Sequence, residues 1–178
     1  MVVTVAAAVS AALFSLTGPA PYPQWAKASR MPPPAATVQV VSSTLCPSAC
    51  TDGVGTIWMG ANADSWSPVR LYGYPFGTNG LVDERRLIFL HELGHIFDRT
   101  VLTVDDRLAF DAIMTLHGDW TASPNSPEDV FAQAYALASL YARPKPPLNT
   151  VWYGFDPSPR QFAQIVALIR GAAARSQS

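Results

Sequence analysis

The sequence predicts an α+β domain, with short strands first and longer helices after them. Three runs rich in β-branched or aromatic residues are expected strands, at 37–41, 55–59 and 69–74; Gly60 closes the second, and Pro68 and Pro75 bound the third. From Gly80 onward the apolar residues follow the spacing of helices instead. Because the strands precede the helices in the chain, we expect a small three-stranded sheet with helices packed on it.

The composition is that of one compact globular domain. The chain has 178 residues, of which 49% are hydrophobic and 14% charged, and this length is enough to bury a core. The net charge of −1 gives no electrostatic basis for binding nucleic acid.

The N-terminal segment 1–20 is expected to be a signal peptide or an N-terminal anchor. Residues 1–16 are almost wholly apolar or small, and Gly18 and Pro19 follow them. This stretch is shorter than the roughly 20 residues of a membrane span, and no Lys or Arg precedes it, so a buried N-terminal helix is the alternative. The pattern favours a secreted or cell-surface protein without stable membrane insertion beyond such an anchor.

The remaining chain divides into a Pro- and Ala-rich linker at 21–35 and a main domain at 36–178. The linker contains one expected helical turn around Trp25. Cys46 and Cys50 are the two cysteines of the chain, and in an exported protein they are expected to form a local disulfide. Zinc binding by this pair is less favoured, because no second cysteine pair completes a tetrahedral site.

Four helices are expected after the strands. The first runs from about Leu81 to Phe97 and is apolar over most of its circumference, which predicts a position deep in the core. Thr103 and Ser126 are suitable N-caps for the second and third helices, and the fourth is expected to start near Ser158 and Pro159. Those helices are expected at 104–117, 126–143 and 158–174.

The first helix contains His91-Glu92-Leu93-Gly94-His95. Residues four apart lie on one face of a helix, so both imidazoles can reach a single metal ion. Glu92 is offset around the helix and can accept a proton from a metal-activated water without being a ligand. Two histidines and a glutamate are costly inside an apolar helix unless they bind or pair with something.

This segment resembles the active-site helix of the zincin metallopeptidases. The resemblance implies a zinc ion held by His91 and His95, with Glu92 as the catalytic base and a peptide or protein as the substrate. Gly94 is similar to the small residue often found there, which allows close packing. Val101 occupies the place of the third histidine of metzincins, so that subgroup is excluded.

A catalytic zinc usually needs a third protein ligand. Asp129-Val130-Phe131-Ala132-Gln133 is similar to the segment that supplies a glutamate ligand in the anthrax lethal factor group, which places the third ligand at Asp129. Asp129 is one methylene shorter, and it could also cap its helix through Ser126. Glu128 and His117 are the alternatives, with Asp98 and Asp119 less favoured.

The remaining expectations concern the substrate and a competing function. An oxyanion-stabilising group is expected among five side chains, namely Tyr72, Tyr74, His117, Tyr135 and Tyr153. An exposed strand edge at 55–61 is a candidate for pairing with an extended peptide. The competing function is a non-catalytic binding module that zinc stabilises and that retains this helix.

Overall fold

The computed structural model describes residues 15–61, 69–70, 81–82, 84–121, 126–141 and 153–178. It confirms the α+β class, with five helices and a small sheet. The strands are β1 Leu16–Thr17, β2 Ala36–Val41, β3 Ala49–Thr51, β4 Thr56–Gly60, β5 Val69–Arg70 and β6 Leu81–Val82. The helices are α1 Tyr22–Lys27, α2 Glu84–Thr100, α3 Val104–Met114, α4 Pro127–Leu140 and α5 Pro159–Arg175.

The main sheet has four strands in the order β1-β2-β4-β3, so the expected count of three was wrong. Strands β1, β2 and β4 are parallel, and β3 joins β4 in the antiparallel direction. Of the three expected strands, two correspond to β2 and β4. Only Val69–Arg70 of the third lies within a described strand, and it pairs with β6 in a separate two-stranded ribbon; residues 71–74 lie outside the described residues.

The candidate peptide-binding edge at 55–61 was also wrong. Strand β4 pairs with β2 on one side and with β3 on the other, so it has no free edge. The missed strand β3 forms the edge instead. It was missed because its three residues overlap the Cys46–Cys50 loop, where the expected disulfide is present.

The segment 21–35 packs into the domain, although its composition suggested a linker. It contains α1, and Tyr22, Ala26 and Met31 are buried in the core. The Tyr135 hydroxyl donates to the Pro32 carbonyl at 2.9 Å, which fixes the end of the segment onto α4. None of the helices in the described ranges is long and apolar enough to cross a bilayer.

Helix α2 lies deep in the core, as its apolar circumference indicated. Six of its large apolar side chains are fully buried, and it contacts both the sheet and α4. It begins at Glu84 rather than near Leu81, because Leu81–Val82 pairs as β6. Burial on two sides holds its remaining polar residues in fixed positions.

The two expected N-caps, Thr103 and Ser126, are confirmed, and Ser158 caps the fourth expected helix in the same way. Thr103, Ser126 and Ser158 each accept from the backbone N–H three residues later, and the side chain at that position reaches back to each cap. Helix α3 ends three residues earlier than expected, because Thr115 adopts a left-handed conformation with φ 56°. Helix α4 ends at Leu140, where the next residue is extended.

Candidate metal centre

The two motif histidines share one face of α2, one turn apart. Their rings meet edge to face with centroids 4.8 Å apart, and His91 Nε2 lies 3.1 Å from His95 Nε2. His91 is 5% exposed. The two nitrogens therefore converge on one point beside α4.

Asp129, in the first turn of α4, brings a carboxylate to the same point. Its Oδ1 lies 3.6 Å from His95 Nε2. Its Oδ2 accepts from the backbone N–H and the hydroxyl of Ser126, which completes the capping box. One oxygen thus caps the helix while the other faces the histidines, so the capping and ligand roles of Asp129 are compatible.

His91, His95 and Asp129 could together hold a metal ion. Each offers one ligand atom, and these atoms all lie within 4.8 Å of one another. No other such group occurs among the residues that the structure describes. The arrangement depends on close packing of α2 against α4, and the close packing expected at Gly94 is confirmed by its contact with the backbone of Ala132.

Glu128 lies on the opposite side of the His95 ring. Its Oε1 is 3.3 Å from His95 Nδ1 and accepts from Arg99 Nε at 2.9 Å. The two ring nitrogens of an imidazole point in different directions. A metal bound through His95 Nε2, facing His91 and Asp129, therefore lies away from Glu128 in this arrangement.

The other ligand candidates do not join the cluster. His117 and Asp119 are exposed beyond the end of α3, and Asp119 accepts from the backbone of Thr121. Asp98 is buried but already paired, since it accepts from Arg107 Nε at 2.8 Å and from Trp120 Nε1 at 3.1 Å. Its role is to tie α2 to α3 and to the segment that follows α3.

The pKa values of the two motif histidines are shifted in opposite directions. Burial, followed by repulsion from His95, lowers the pKa of His91 to about 3, so this ring is neutral at physiological pH. Burial alone would lower the pKa of His95, but Glu128, Glu92 and Asp129 together raise it. His95 and Arg99 hold the pKa of Glu128 at about 2.

Glu92 sits beside the cluster without a hydrogen-bond partner among the described residues. It is 9% exposed. Burial, with the neighbouring Asp129 charge, raises its pKa to about 7 despite the attraction of His95. A carboxyl with this pKa can both take up and release a proton near neutral pH.

Tyr153 packs against one face of the His91 ring. The two rings are stacked, with centroids 4.6 Å apart and an interplanar angle of 17°. Its φ of 58° is in the left-handed region, which is unusual for a bulky residue and points to a position held by its surroundings. Burial and the charges of Asp129 and Glu92 raise the Tyr153 pKa, so its hydroxyl remains protonated at neutral pH.

The other oxyanion candidates are less well placed. Tyr135 is fully buried and donates to Pro32, while Tyr72 and Tyr74 lie outside the described residues. Sequence reasoning assigned no role to Gln133, whose buried amide lies beside His91. The Gln133 amide acts to raise the pKa of His91, against the larger effect of burial. Neither the two amide atoms of Gln133 nor His91 Nδ1 has a partner in ordinary hydrogen-bond geometry among the described residues.

The arrangement could therefore hold a metal ion through two imidazoles and one carboxylate, next to the buried Glu92 carboxyl and the stacked Tyr153 ring. Comparison of the chain with models of known families, with curated proteins and with solved structures gives no match. What the chain does has to be inferred from this geometry.

Proposed function

We propose that the chain is a zinc-dependent peptidase, in which His91, His95 and Asp129 hold the metal and Glu92 is the general base. The observation that carries the proposal is that the two carboxylate oxygens of Asp129 make different contacts. Its Oδ2 is used by the helix cap, while its Oδ1 is turned towards His95. Capping through Oδ2 alone does not require Oδ1 to lie 3.6 Å from a ring nitrogen whose neighbour is a second imidazole.

The donor set and its spacing fit zinc. Ligand atoms at about 2.0–2.1 Å from a tetrahedral zinc lie about 3.3–3.4 Å from each other. Two of the three separations, 3.1 Å between the two Nε2 atoms and 3.6 Å between His95 Nε2 and Asp129 Oδ1, lie on either side of that value. The third pair, His91 and Asp129, lies within 4.8 Å and would have to draw closer around a bound ion. Two histidines and one carboxylate leave a fourth position open, as in catalytic rather than structural zinc sites.

The surrounding side chains have the properties that amide hydrolysis requires. A bound zinc ion would polarise the substrate carbonyl and acidify the attacking water. Glu92 takes the proton from that water and delivers it to the leaving amine, which a carboxyl of pKa about 7 can do. The protonated Tyr153 hydroxyl, held over the site by the stack on His91, would donate to the developing oxyanion.

Strand β3 supplies an edge on which a peptide can pair. Gly60 N–H donates a hydrogen bond to Ser48 O, and Asp52 N–H donates one to Thr56 O. These two hydrogen bonds determine which residues of β3 point their backbone groups towards β4. The peptide groups of Ala49 and Thr51 therefore point away from β4. Because β3 contacts α2, an extended peptide added to this edge would run beside the motif helix, and this favours a peptide substrate.

Metal analysis combined with a peptide-library assay tests the proposal. The wild-type protein is expected to bind one zinc per chain and to cleave peptides in a library read by mass spectrometry. Glu92→Gln should keep the zinc and lose at least about 10²-fold in kcat, whereas Asp129→Ala should lose the zinc. Asp119→Ala, at an exposed acid outside the cluster, is the matched control.

The same assay separates the peptidase from a zinc-stabilised binding module. A module would bind zinc and lose stability on chelation, yet Glu92→Gln would be indistinguishable from the wild type on every peptide. That outcome, or full zinc binding and activity in Asp129→Ala, would contradict the proposal.

A further inference from the structure

Glu128 and Arg99 form an ion pair directly behind the proposed metal ligand His95. Glu128 Oε1 lies 3.3 Å from His95 Nδ1 and 2.9 Å from Arg99 Nε. The Glu128 side chain is 7% exposed, and its backbone N–H donates to the Trp120 carbonyl. This carboxylate is therefore fixed at both its backbone and its side chain.

The turn between β3 and β4 holds Arg99 from the other side. Gly53, with φ of 74°, lies so close that a Cβ there would come within 2.4 Å of Arg99 Cδ. Asp52 adds a favourable charge to Arg99. Its Oδ1 accepts from the backbone N–H groups of Val54, Gly55 and Thr56, which fixes the turn.

We propose that Glu128 is a positioning residue that keeps a proton on His95 Nδ1, and that Arg99, held under the Gly53 turn, keeps Glu128 in place. A neutral imidazole donates through one nitrogen and accepts through the other. A carboxylate on Nδ1 thus leaves the Nε2 lone pair facing His91 and Asp129. The inference rests on the proposed function for its consequence, tighter metal binding, but its structural part stands without a metal.

The test is the protonation pattern of the His95 ring in metal-free protein. The chain has three histidines, so nitrogen-15 spectra of the rings can be assigned with single His→Gln variants. At alkaline pH the wild type is expected to show His95 protonated at Nδ1. Glu128→Leu should shift this ring towards the Nε2–H tautomer, while Glu128→Gln, which keeps an acceptor oxygen, should restore most of the wild-type pattern. An unchanged tautomer in Glu128→Leu would overturn the proposal.

Zinc affinity provides the second readout. Glu128→Leu should weaken zinc binding about 10–100-fold, and Arg99→Gln should weaken it less. Gly53→Ala should weaken it a few-fold, because the added Cβ would displace Arg99 and the φ of 74° would strain the turn that holds it, whereas Gly55→Ala should not, because a Cβ at Gly55 meets nothing within 4 Å. Complete loss of zinc in Glu128→Leu with retention in Asp129→Ala would make Glu128 a ligand and overturn the assignment.

The two proposals fail in different ways. If the wild type binds no zinc but the tautomer shift occurs, the proposed function is wrong and the positioning of His95 by Glu128 stands. If zinc binds normally and the tautomer and affinity do not respond to Glu128→Leu or Arg99→Gln, only the positioning role is wrong.

Discussion

Replacing Gly94 with alanine should push α2 away from α4 and weaken the metal centre. Gly94 lies on α2 between the two motif histidines. An added Cβ would come within 2.7 Å of Ala132 Cα and 2.8 Å of Ala132 O, where ordinary contact begins at 3.4 Å. Both are backbone atoms, so no side-chain rotation relieves the overlap. The helices must therefore separate locally by about 0.7 Å, which is the difference between the 3.4 Å of ordinary contact and the 2.7 Å to Ala132 Cα.

Two opposing terms set the size of the effect. Overpacking a core costs about 1–3 kcal/mol, while Gly→Ala in a helix interior gains about 1 kcal/mol. Because the added Cβ would overlap backbone atoms of Ala132, which cannot rotate away, the cost of overpacking is expected to exceed the gain in helix propensity. A net loss of about 1–2 kcal/mol in the free energy of unfolding is expected. Asp129 lies one turn before Ala132, so the same separation moves its Oδ1 away from His95, and zinc affinity should fall roughly tenfold.

Thermal unfolding and zinc titration check this prediction, with Gly171→Ala as the control. Gly171 is also inside a helix, but its added Cβ would meet only the guanidinium end of the flexible Arg175 side chain, at 3.4 Å. That variant should gain about 0.5–1 kcal/mol, while Gly94→Ala should lose about 2–8 °C in Tm. If both variants were equally stable and bound zinc equally well, the argument from close helix packing would be refuted.

Three further variants test other parts of the structure. Tyr153→Phe keeps the ring that stacks on His91 but removes the hydroxyl, so kcat should fall about 10²-fold with zinc affinity unchanged; steady-state kinetics on a cleaved peptide measures this, and an unchanged kcat would remove the oxyanion role. Arg107→Ala leaves the buried Asp98 carboxylate without its cation and should cost about 2–4 kcal/mol in urea unfolding. Arg175→Ala breaks a pair in which the arginine side chain is 59% exposed and Asp106 only 11%, and it should cost at most about 1 kcal/mol because the cation is in solvent; equal losses in the Arg107 and Arg175 variants would contradict this ranking.

The features that follow from nearby residues could be predicted from the sequence. Each helix cap depends on two residues three positions apart, and the His91–His95 face depends on two residues one turn apart. Such short spacings leave the rest of the fold little influence. This is why the caps and the convergence of the two rings appear in the structure as expected.

The features that depend on packing between distant segments could not be predicted. Strand β3 exists because it pairs with β4, and its three residues carry little signal of their own. The side of His95 that Glu128 occupies depends on how α4 lies across α2, which Gly94 determines through a tertiary contact. Tyr153 was one of five candidates until the fold placed it on His91.

Glu92 should lower the stability of the metal-free protein, and this cost depends on pH. Its pKa of about 7 in the folded state lies above the ordinary value of 4.5. The folded state therefore holds the proton more tightly than the unfolded state, so stability falls progressively as the pH rises from 4.5 to about 7, by about 3 kcal/mol in total, and nothing is lost below pH 4.5.

Urea unfolding in the presence of EDTA tests this expectation. Glu92→Gln should be more stable than the wild type by a few kcal/mol at pH 8, and the difference should nearly vanish at pH 4.5. Asp105→Asn, at an exposed site on α3, is the control and should show no comparable change. A difference that stays constant with pH would mean that Glu92 is not an isolated buried carboxyl. A binding module gains nothing from such a destabilising group, whereas a general base needs it, so the pH-dependent cost would favour the peptidase.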